Sequence, residues 1–189
     1  MDRPTLRTER LTLVPLADEH LEHEVELDAD PEVMRYLTGR AMTRAETEAA
    51  HRRRLAAARD GLGLWAGFAE DGFVGWWLLR PPHGPDQPEV DGEAELGYRL
   101  LRARWRQGYA SEGARELVRY GFADLGLDRI FAQTMAVNTP SRATMTASGL
   151  SFARAFVSAG TYDDPLPGTE QGEVEYEITR AAWRERLGR

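Results

Sequence analysis

The clearest indication of the fold comes from residues 92–150, GEAELGYRLLRARWRQGYASEGARELVRYGFADLGLDRIFAQTMAVNTPSRATMTASGL. Its hydrophobic pattern predicts, in order, a strand over 93–100, a helix over about 110–125, a strand over 129–137 and a short helix over 138–148. A strand, a helix and a second strand in this order form a crossover unit, so the two strands should lie parallel and side by side.

A polar turn joins the first of these strands to the helix, and it predicts an anion site. Gly108 and Ala110 are small enough to let a ligand approach the backbone, and free amide groups at a helix N-terminus attract anions. We expect a pyrophosphate to bind there; plain turn chemistry is the alternative explanation of an isolated glycine before a helix. The residues expected to hold it are Arg106, Gln107, Gly108, Tyr109, Ala110 and Ser111.

The bulk composition predicts one soluble domain over residues 1–189. Charged residues make up 29% of the chain and apolar residues 42%, and no apolar run approaches the roughly 20 residues that span a bilayer. The N-terminus lacks a secretory signal and there are no cysteines, so we expect a cytoplasmic protein without thiol chemistry. The net charge of −7 argues against nucleic acid and suits a cationic partner, although acidity often reflects solubility alone.

The chain before residue 92 predicts further elements. We expect a strand over 8–16, a helix capped by Asp18 and running to Leu27, a short helix over 31–39, and a helix opened by a capping box at Thr43 and running to about Asp60. Asp71-Gly72 then predicts a hairpin within residues 62–79. Its aromatic residues are expected in the core, with a substrate groove as the alternative: Trp65, Phe68, Phe73, Trp76 and Trp77.

The remaining segments complete the expected order. A proline-rich connection follows over residues 81–91, and two last strands, 152–159 and 173–179, enclose a polar loop before a terminal helix turn over 181–187. Counting neither the short helix over 31–39 nor the terminal turn, the order is β-α-α-β-β-β-α-β-α-β-β, which indicates helices around a mixed sheet.

This order and five motifs resemble the GNAT N-acetyltransferases, and in particular the branch of ribosomal-protein N-terminal acetyltransferases. The motifs are RTERL…PL from Arg7, DPEVM from Asp30, WRQGYASEG from Trp105, NTPS from Asn138 followed by Gly149, and the closing segment from Glu175 to Trp183. The resemblance implies an α/β fold: a mixed, largely antiparallel sheet of about seven strands, with a central parallel pair splayed around the cofactor and helices on its faces. It further implies acetyl-CoA as acyl donor, no metal, and a monomer or homodimer.

Two positions depart from the superfamily pattern. Trp105 stands where the cofactor loop usually begins with Arg or Gln, as is common in this branch. Met145 stands where many members carry a tyrosine as general acid, and a thioether cannot donate that proton. The tyrosine mechanism therefore does not carry over to this chain.

The resemblance places the pantetheine arm and thiol. It implies that Tyr98, Arg99 and Leu100 offer backbone groups to the pantetheine, one of them to the reacting carbonyl oxygen. Asn138 would hydrogen-bond the same arm, and Ser141 would hydrogen-bond the thiol. Each of the last two also fits a simple capping or turn role.

Transfer to an amine also requires removal of its proton, and a carboxylate acting directly or through water can take it. Glu93 and Glu95 lie at i and i+2 on one strand and should face the same side. We expect Glu95 to be the base because it lies nearer the expected acyl position. The alternative is that both are ordinary surface carboxylates. His20 and His23 show no metal spacing, and their glutamate-rich helix is expected to present a solvated face.

Two functions remain after these arguments. One is an acetyl-CoA-dependent N-acetyltransferase. The other is a non-catalytic acyl-CoA-binding or regulatory module, which is supported by Met145 in place of the usual tyrosine. The acceptor of the enzyme would be a protein N-terminus or a small amine. Its positive charge would be attracted by acidic residues clustered in the sequence, namely Asp86, Glu89, Asp91, Glu93, Glu95, Asp163 and Asp164.

Overall fold

A computed structural model describes residues 3–84, 86–158 and 166–188, which build one mixed sheet with helices on both faces. The strands are β1 (Leu6–Arg7), β2 (Thr12–Pro15), β3 (Gly63–Ala69), β4 (Gly72–Arg80), β5 (Glu93–Leu100), β6 (Arg129–Met135), β7 (Ser151–Phe156) and β8 (Glu173–Thr179). The helices are α1 (Leu21–Asp28), α2 (Arg44–Ala56), α3 (Tyr109–Ala123), α4 (Thr139–Ala147) and α5 (Arg180–Leu187). In the described ranges, none of these helices is both long and apolar enough to cross a membrane.

The eight strands lie in the order β1-β2-β3-β4-β5-β6-β8-β7. All neighbours are antiparallel except β5 and β6, which pair in parallel as the crossover unit predicts. The expected fold class is confirmed, with eight strands in place of about seven. The extra strand is β1, which lies before the strand predicted over 8–16. The chain turns back at Thr8, whose N–H donates to the Leu11 carbonyl over 2.9 Å, so that only residues 12–15 of the predicted strand form β2.

The sheet has two differently covered faces. On the α3 face, Leu117 of α3 packs against Trp77, Leu79 and Leu96 of the central strands. On the opposite face, called the α1 face, Leu27 of α1 lies in a cluster with apolar side chains of β3 and β4, namely Leu64, Ala66, Phe73, Trp76 and Leu78. The aromatic residues of the predicted hairpin are therefore core residues, as expected.

The predicted caps and boundaries of the first helices were partly correct. Thr43 forms the predicted capping box with Glu46, although α2 ends at Ala56, short of Asp60. Asp18 does not cap: Ala17 is the N-cap of a 3-10 turn, Asp18–His20, that leads into α1. Residues 31–39 form turns instead of a helix. Met34 is the main buried residue of this segment, and Leu37 is 52% exposed, so the segment has no continuous apolar face to pack as a helix.

The prediction of a solvated face on α1 holds for Glu22 and Glu26, which are exposed, but is wrong for two other carboxylates of the helix. Glu24 and Asp28 are completely buried, and His20 is 6% exposed. Burial of charged groups is tolerated when opposite charges accompany them. Here Arg54 contacts both carboxylates from α2, and Arg99 of β5 contacts Asp28. The partners come from distant parts of the chain, which is why the local pattern did not reveal them.

Candidate active site

The centre of the sheet opens into a cleft where β5 and β6 separate. The parallel register runs from Glu93↔Arg129 to Glu95↔Phe131 and then ends, although both strands continue. β5 remains paired with β4 as far as Gly75↔Leu100, and β6 remains paired with β8 as far as Met135↔Glu173. The edges of residues 96–100 and 132–135 that face each other therefore have no partner among the described strands. We call the space between them the cleft.

The predicted anion loop lies between β5 and α3. Among the described residues, the backbone N–H groups of residues 106–111 donate to no protein acceptor. Gly108 is the N-cap of α3 and has φ +83, a left-handed conformation that glycine adopts without cost. Arg106 also has a positive φ, 59, which is unusual for a residue with a side chain. A run of free donors at a helix N-terminus suits an anionic oxygen ligand.

Two contacts hold this loop in place. The Arg10 guanidinium donates to the Gln107 carbonyl over 2.9 Å and lies 4.5 Å above the Tyr109 ring. Glu112 of α3 accepts from the Thr8 hydroxyl and from the Arg10 backbone. Although burial opposes it, these bonds lower the pKa of Glu112, so its carboxylate stays charged. No local signal in the sequence marks Arg10, because its partners lie about a hundred residues away.

Close packing also brings α3 against the sheet. Trp77 donates from its indole nitrogen to the Ala110 carbonyl over 3.0 Å. A Cβ atom at Gly113 would lie 2.5 Å from the same indole, so a larger residue would displace the helix start. The small residues of the predicted loop therefore serve packing as well as ligand access.

On the α3 face of the cleft, two predicted residues meet. The Tyr98 hydroxyl donates to the Ser141 carbonyl over 3.0 Å and lies 3.3 Å from the Ser141 hydroxyl. Asn138 caps α4 by accepting from the Ser141 backbone N–H, and its amide donates to Thr134. Burial raises the pKa of Tyr98 to about 12, against hydrogen bonds to Ser141 and Thr144. Met145 is 2% exposed and belongs to the core.

On the α1 face, the two predicted carboxylates lie on the same side of β5, as their spacing required. Glu95 is 9% exposed and its Oε2 accepts from Arg80 over 2.6 Å. Glu93 accepts from Arg129 over 2.7 Å. Glu95 is the last residue of the parallel register, so it lies at the closed end of the cleft. Glu95 and Ser141 thus lie on opposite faces, with the cleft between them.

Among the acidic residues that cluster in the sequence, the three glutamates are paired with arginines. Glu89 pairs with Arg59, Glu93 with Arg129 and Glu95 with Arg80. Asp86 accepts from the Ser158 hydroxyl. Asp163 and Asp164 lie outside the described residues. The idea that these acids jointly attract a cationic acceptor was therefore wrong for the three glutamates, because arginines neutralise them.

The side chain of Arg99 has a role that the sequence did not suggest. Its Nη1 donates to Asp28 and its guanidinium lies 4.8 Å from the Trp76 ring. Arg99 thus links the unpaired end of β5 to the end of α1. Within the described ranges, no group of three or more His, Cys, Asp or Glu side chains is arranged to hold a metal ion.

Comparison with known proteins agrees with this architecture. The profile of the acetyltransferase (GNAT) domain matches residues 10–151. The chain therefore belongs to the GNAT acetyltransferase family, and it is an acetyl-CoA-dependent acetyltransferase. A curated relative from Aspergillus fumigatus, named FsC-acetyl coenzyme A-N(2)-transacetylase, is 46% identical over 186 residues, which cover 96% of this chain and 78% of the relative. An uncharacterized N-acetyltransferase p20 from Bacillus licheniformis is 32% identical over 146 residues, which cover 72% and 76% of the two chains.

Solved structures show the same fold. A GNAT-family acetyltransferase from Bacillus anthracis superposes with a TM-score of 0.78 at 23% identity, covering 94% of this chain and 99% of the other. Spermidine N-acetyltransferase from Vibrio cholerae, solved with CoA and spermine, gives a TM-score of 0.71 at 14% identity, covering 93% of this chain and 98% of the other. At these identities the likeness concerns the fold alone. The expectation of a ribosomal-protein branch stays a prediction.

Proposed function

We propose that this chain, as one catalytic domain, acetylates the nitrogen of a primary amine on a small molecule. The observation that carries the proposal is the unpaired cleft between β5 and β6, which opens beside six free backbone N–H groups. The name of the 46% identical relative, an N(2)-transacetylase, supports a small-molecule acceptor. A protein N-terminus, which the sequence motifs favour, is the competing acceptor.

The residues present fit acetyl-CoA. The free N–H groups of residues 106–111 would hold the pyrophosphate, and the left-handed Gly108 leaves the backbone open to it. Unpaired backbone groups of Tyr98, Arg99 and Leu100 would hold the pantetheine arm, together with Asn138. When bound, acetyl-CoA supplies the activated acetyl thioester. A backbone N–H of β5 directed at the acyl oxygen would stabilise its developing charge, an effect of about 3–4 kcal/mol per donor in other enzymes.

Ser141 and Tyr98 define the thiol end of the cleft. Tyr98 donates to the Ser141 carbonyl, so the Ser141 hydroxyl is free to turn its proton toward a sulfur atom. A thiol with a pKa of about 8.5 leaves readily as its thiolate, so this one hydrogen bond is enough to assist its departure. No tyrosine at position 145 is then required.

Of the two carboxylates that the sequence suggested, Glu95 is the better candidate to meet the amine. Glu93 lies further from the cleft and is bound by Arg129. Glu95 lies where the strands part, and Arg80 engages its Oε2. We propose that Oε1 faces the acceptor, where it would orient the nitrogen or accept its proton through water.

Release of free thiol from acetyl-CoA tests the function. Purified protein would be incubated with acetyl-CoA and a panel of small amines, polyamines, aminoglycosides and amino-acid amides. Peptides with free N-termini form the second arm. We expect turnover in the first arm and a mass increase of one acetyl group. Turnover confined to peptides would contradict the small-molecule acceptor. Binding of acetyl-CoA without turnover in either arm would contradict amine acetylation by this chain.

A further inference from the structure

Glu173, at the start of β8, is a carboxylate that lies outside the sequence motifs and has no role in the site described above. The registers place it on the α1 face: Glu95 lies opposite Phe131, and Met135, four residues on, lies opposite Glu173. Side chains two and four residues apart on a strand share a face. Glu173 and Glu95 therefore face the same side of the sheet.

The other described glutamates of this part of the face are neutralised by arginines. Glu93, Glu175 and Glu177 all accept from Arg129, and Glu175 also accepts from Arg154 and Gln133. The Glu173 carboxylate makes no hydrogen bond or ion pair with any described residue, and the residue is half-buried. Burial and the negative charge of Asp86 raise the pKa of its carboxyl above the ordinary range.

Measured along the strands, Glu173 lies at about the same height as the thiol end of the cleft, which Tyr98 and Ser141 define. Tyr98, which contacts Ser141, lies three residues beyond Glu95, or about 10 Å at 3.3 Å per residue. On β6, Met135 lies four residues beyond Phe131, the partner of Glu95, or about 13 Å, and Glu173 lies opposite Met135 on β8. Glu95 marks the closed end of the cleft, whereas Glu173 lies near the level of its open end, one strand beyond β6.

We propose that Glu173, in place of the arginine-bound Glu95, is the catalytic residue that takes the proton from the acceptor ammonium. The inference rests on the proposed amine acetylation. One N–H proton passes to a Glu173 oxygen, and the nitrogen lone pair then forms the C–N bond to the acetyl carbon as the C–S bond breaks. The C–S electron pair leaves on the sulfur, which takes up one proton from solvent. The second nitrogen proton and the proton held by Glu173 are released to solvent, which restores the carboxylate.

The groups around Glu173 favour this role. Asp86 approaches from the loop before β5, and Met135 and Gln133 on β6 are uncharged. On β7, Arg154 is engaged by Glu175 and lies 4.5 Å from the Phe156 ring. A half-buried carboxylate without a cation holds a proton more firmly than an ion-paired one, as a base at neutral pH requires.

The test compares Glu173→Gln with Glu177→Gln, a matched variant on the same strand and face, using the panel amine with the highest turnover and hydrazine. We expect Glu173→Gln to lower kcat/KM for the alkylamine by about 10²–10⁴-fold, and Glu177→Gln by less than about threefold. The loss should shrink with rising pH and be smaller with hydrazine, because hydrazine is a weaker base than an alkylamine and a larger fraction of it is unprotonated at neutral pH. Unfolding curves would show that both variants fold.

Two results would overturn the proposal. One is a Glu173→Gln variant with wild-type kcat/KM. The other is an equal loss with both amines at every pH, which indicates a structural role. Because wild-type turnover is measured in the same assay, failure of amine acetylation itself would be seen separately, as absence of thiol release by the unmodified protein.

Discussion

Tyr98 donates a hydrogen bond to the Ser141 carbonyl over 3.0 Å and thereby joins the unpaired end of β5 to the first turn of α4. The next residue, Arg99, points to the opposite face and binds Asp28 at the end of α1. No β6 partner supports β5 at this level. On the cleft side, two consecutive side chains therefore tie the strand to helices on both faces, and they help to set the width of the cleft.

Replacing Tyr98 by Phe should slow catalysis more than it destabilises the fold. The lost bond costs about 0.5–1.5 kcal/mol of unfolding free energy. Displacement of Ser141 should lower kcat by about 10–100-fold. Tyr120→Phe is the matched control, because its buried hydroxyl donates to the Gly61 carbonyl over 3.1 Å away from the cleft. Urea unfolding and steady-state kinetics measure both effects; equal kcat values for the two variants would contradict this role.

Replacing Arg99 by Met should strongly destabilise the protein. It removes the cation beside the fully buried Asp28, and breaking such a pair costs about 3–5 kcal/mol. The freed strand should also raise KM for acetyl-CoA. Arg119→Met, which removes the more exposed pair with Glu116, should cost about 0–1 kcal/mol. Similar unfolding free energies for both variants would show that the buried pair stabilises the fold no more than the exposed pair does.

Replacing Gly108 by Val should weaken acetyl-CoA binding. The left-handed φ costs a residue with a side chain about 1–2 kcal/mol, and the new Cβ would lie 3.2 Å from Arg10 Nη2. Gly126→Val imposes a similar strain at φ +70, with its Cβ no closer than 3.8 Å to another group. We expect calorimetry to show at least a tenfold loss of affinity for the first variant only. Equal affinities would remove residues 106–111 as the pyrophosphate site.

Glu173 should make the stability of the fold depend on pH. Its folded-state pKa lies above the unfolded value, so the folded protein binds this proton more tightly. Its contribution is therefore full below the ordinary glutamate pKa of about 4.3 and is lost as the pH rises through the folded pKa. Glu173→Gln should raise Tm relative to wild type at pH 8, and the difference should shrink toward pH 5. A lower Tm for the variant at pH 8 would contradict this assignment.

Much of the architecture could be predicted from local patterns. The hairpin at Asp71-Gly72, the capping box at Thr43 and the Asn138 cap each act within four residues, so the sequence displays them directly. The crossover unit also follows from short-range pattern and chain handedness. Predictions were wrong where an element depends on distant partners. Residues 31–39 lack an apolar face that would hold a helix, and α1 buries charges that distant arginines neutralise.

Local patterns in the chain were enough to establish the fold class, the parallel pair and the loop at residues 106–111, because periodicity, caps and glycines act between near neighbours. Which carboxylates are neutralised became visible only in the folded structure. Arg80, Arg129 and Arg154 reach their partners across strands, whereas Glu173 is left without one among the described residues. Charge pairing depends on distances through space, and these are fixed only when the strands have found their register.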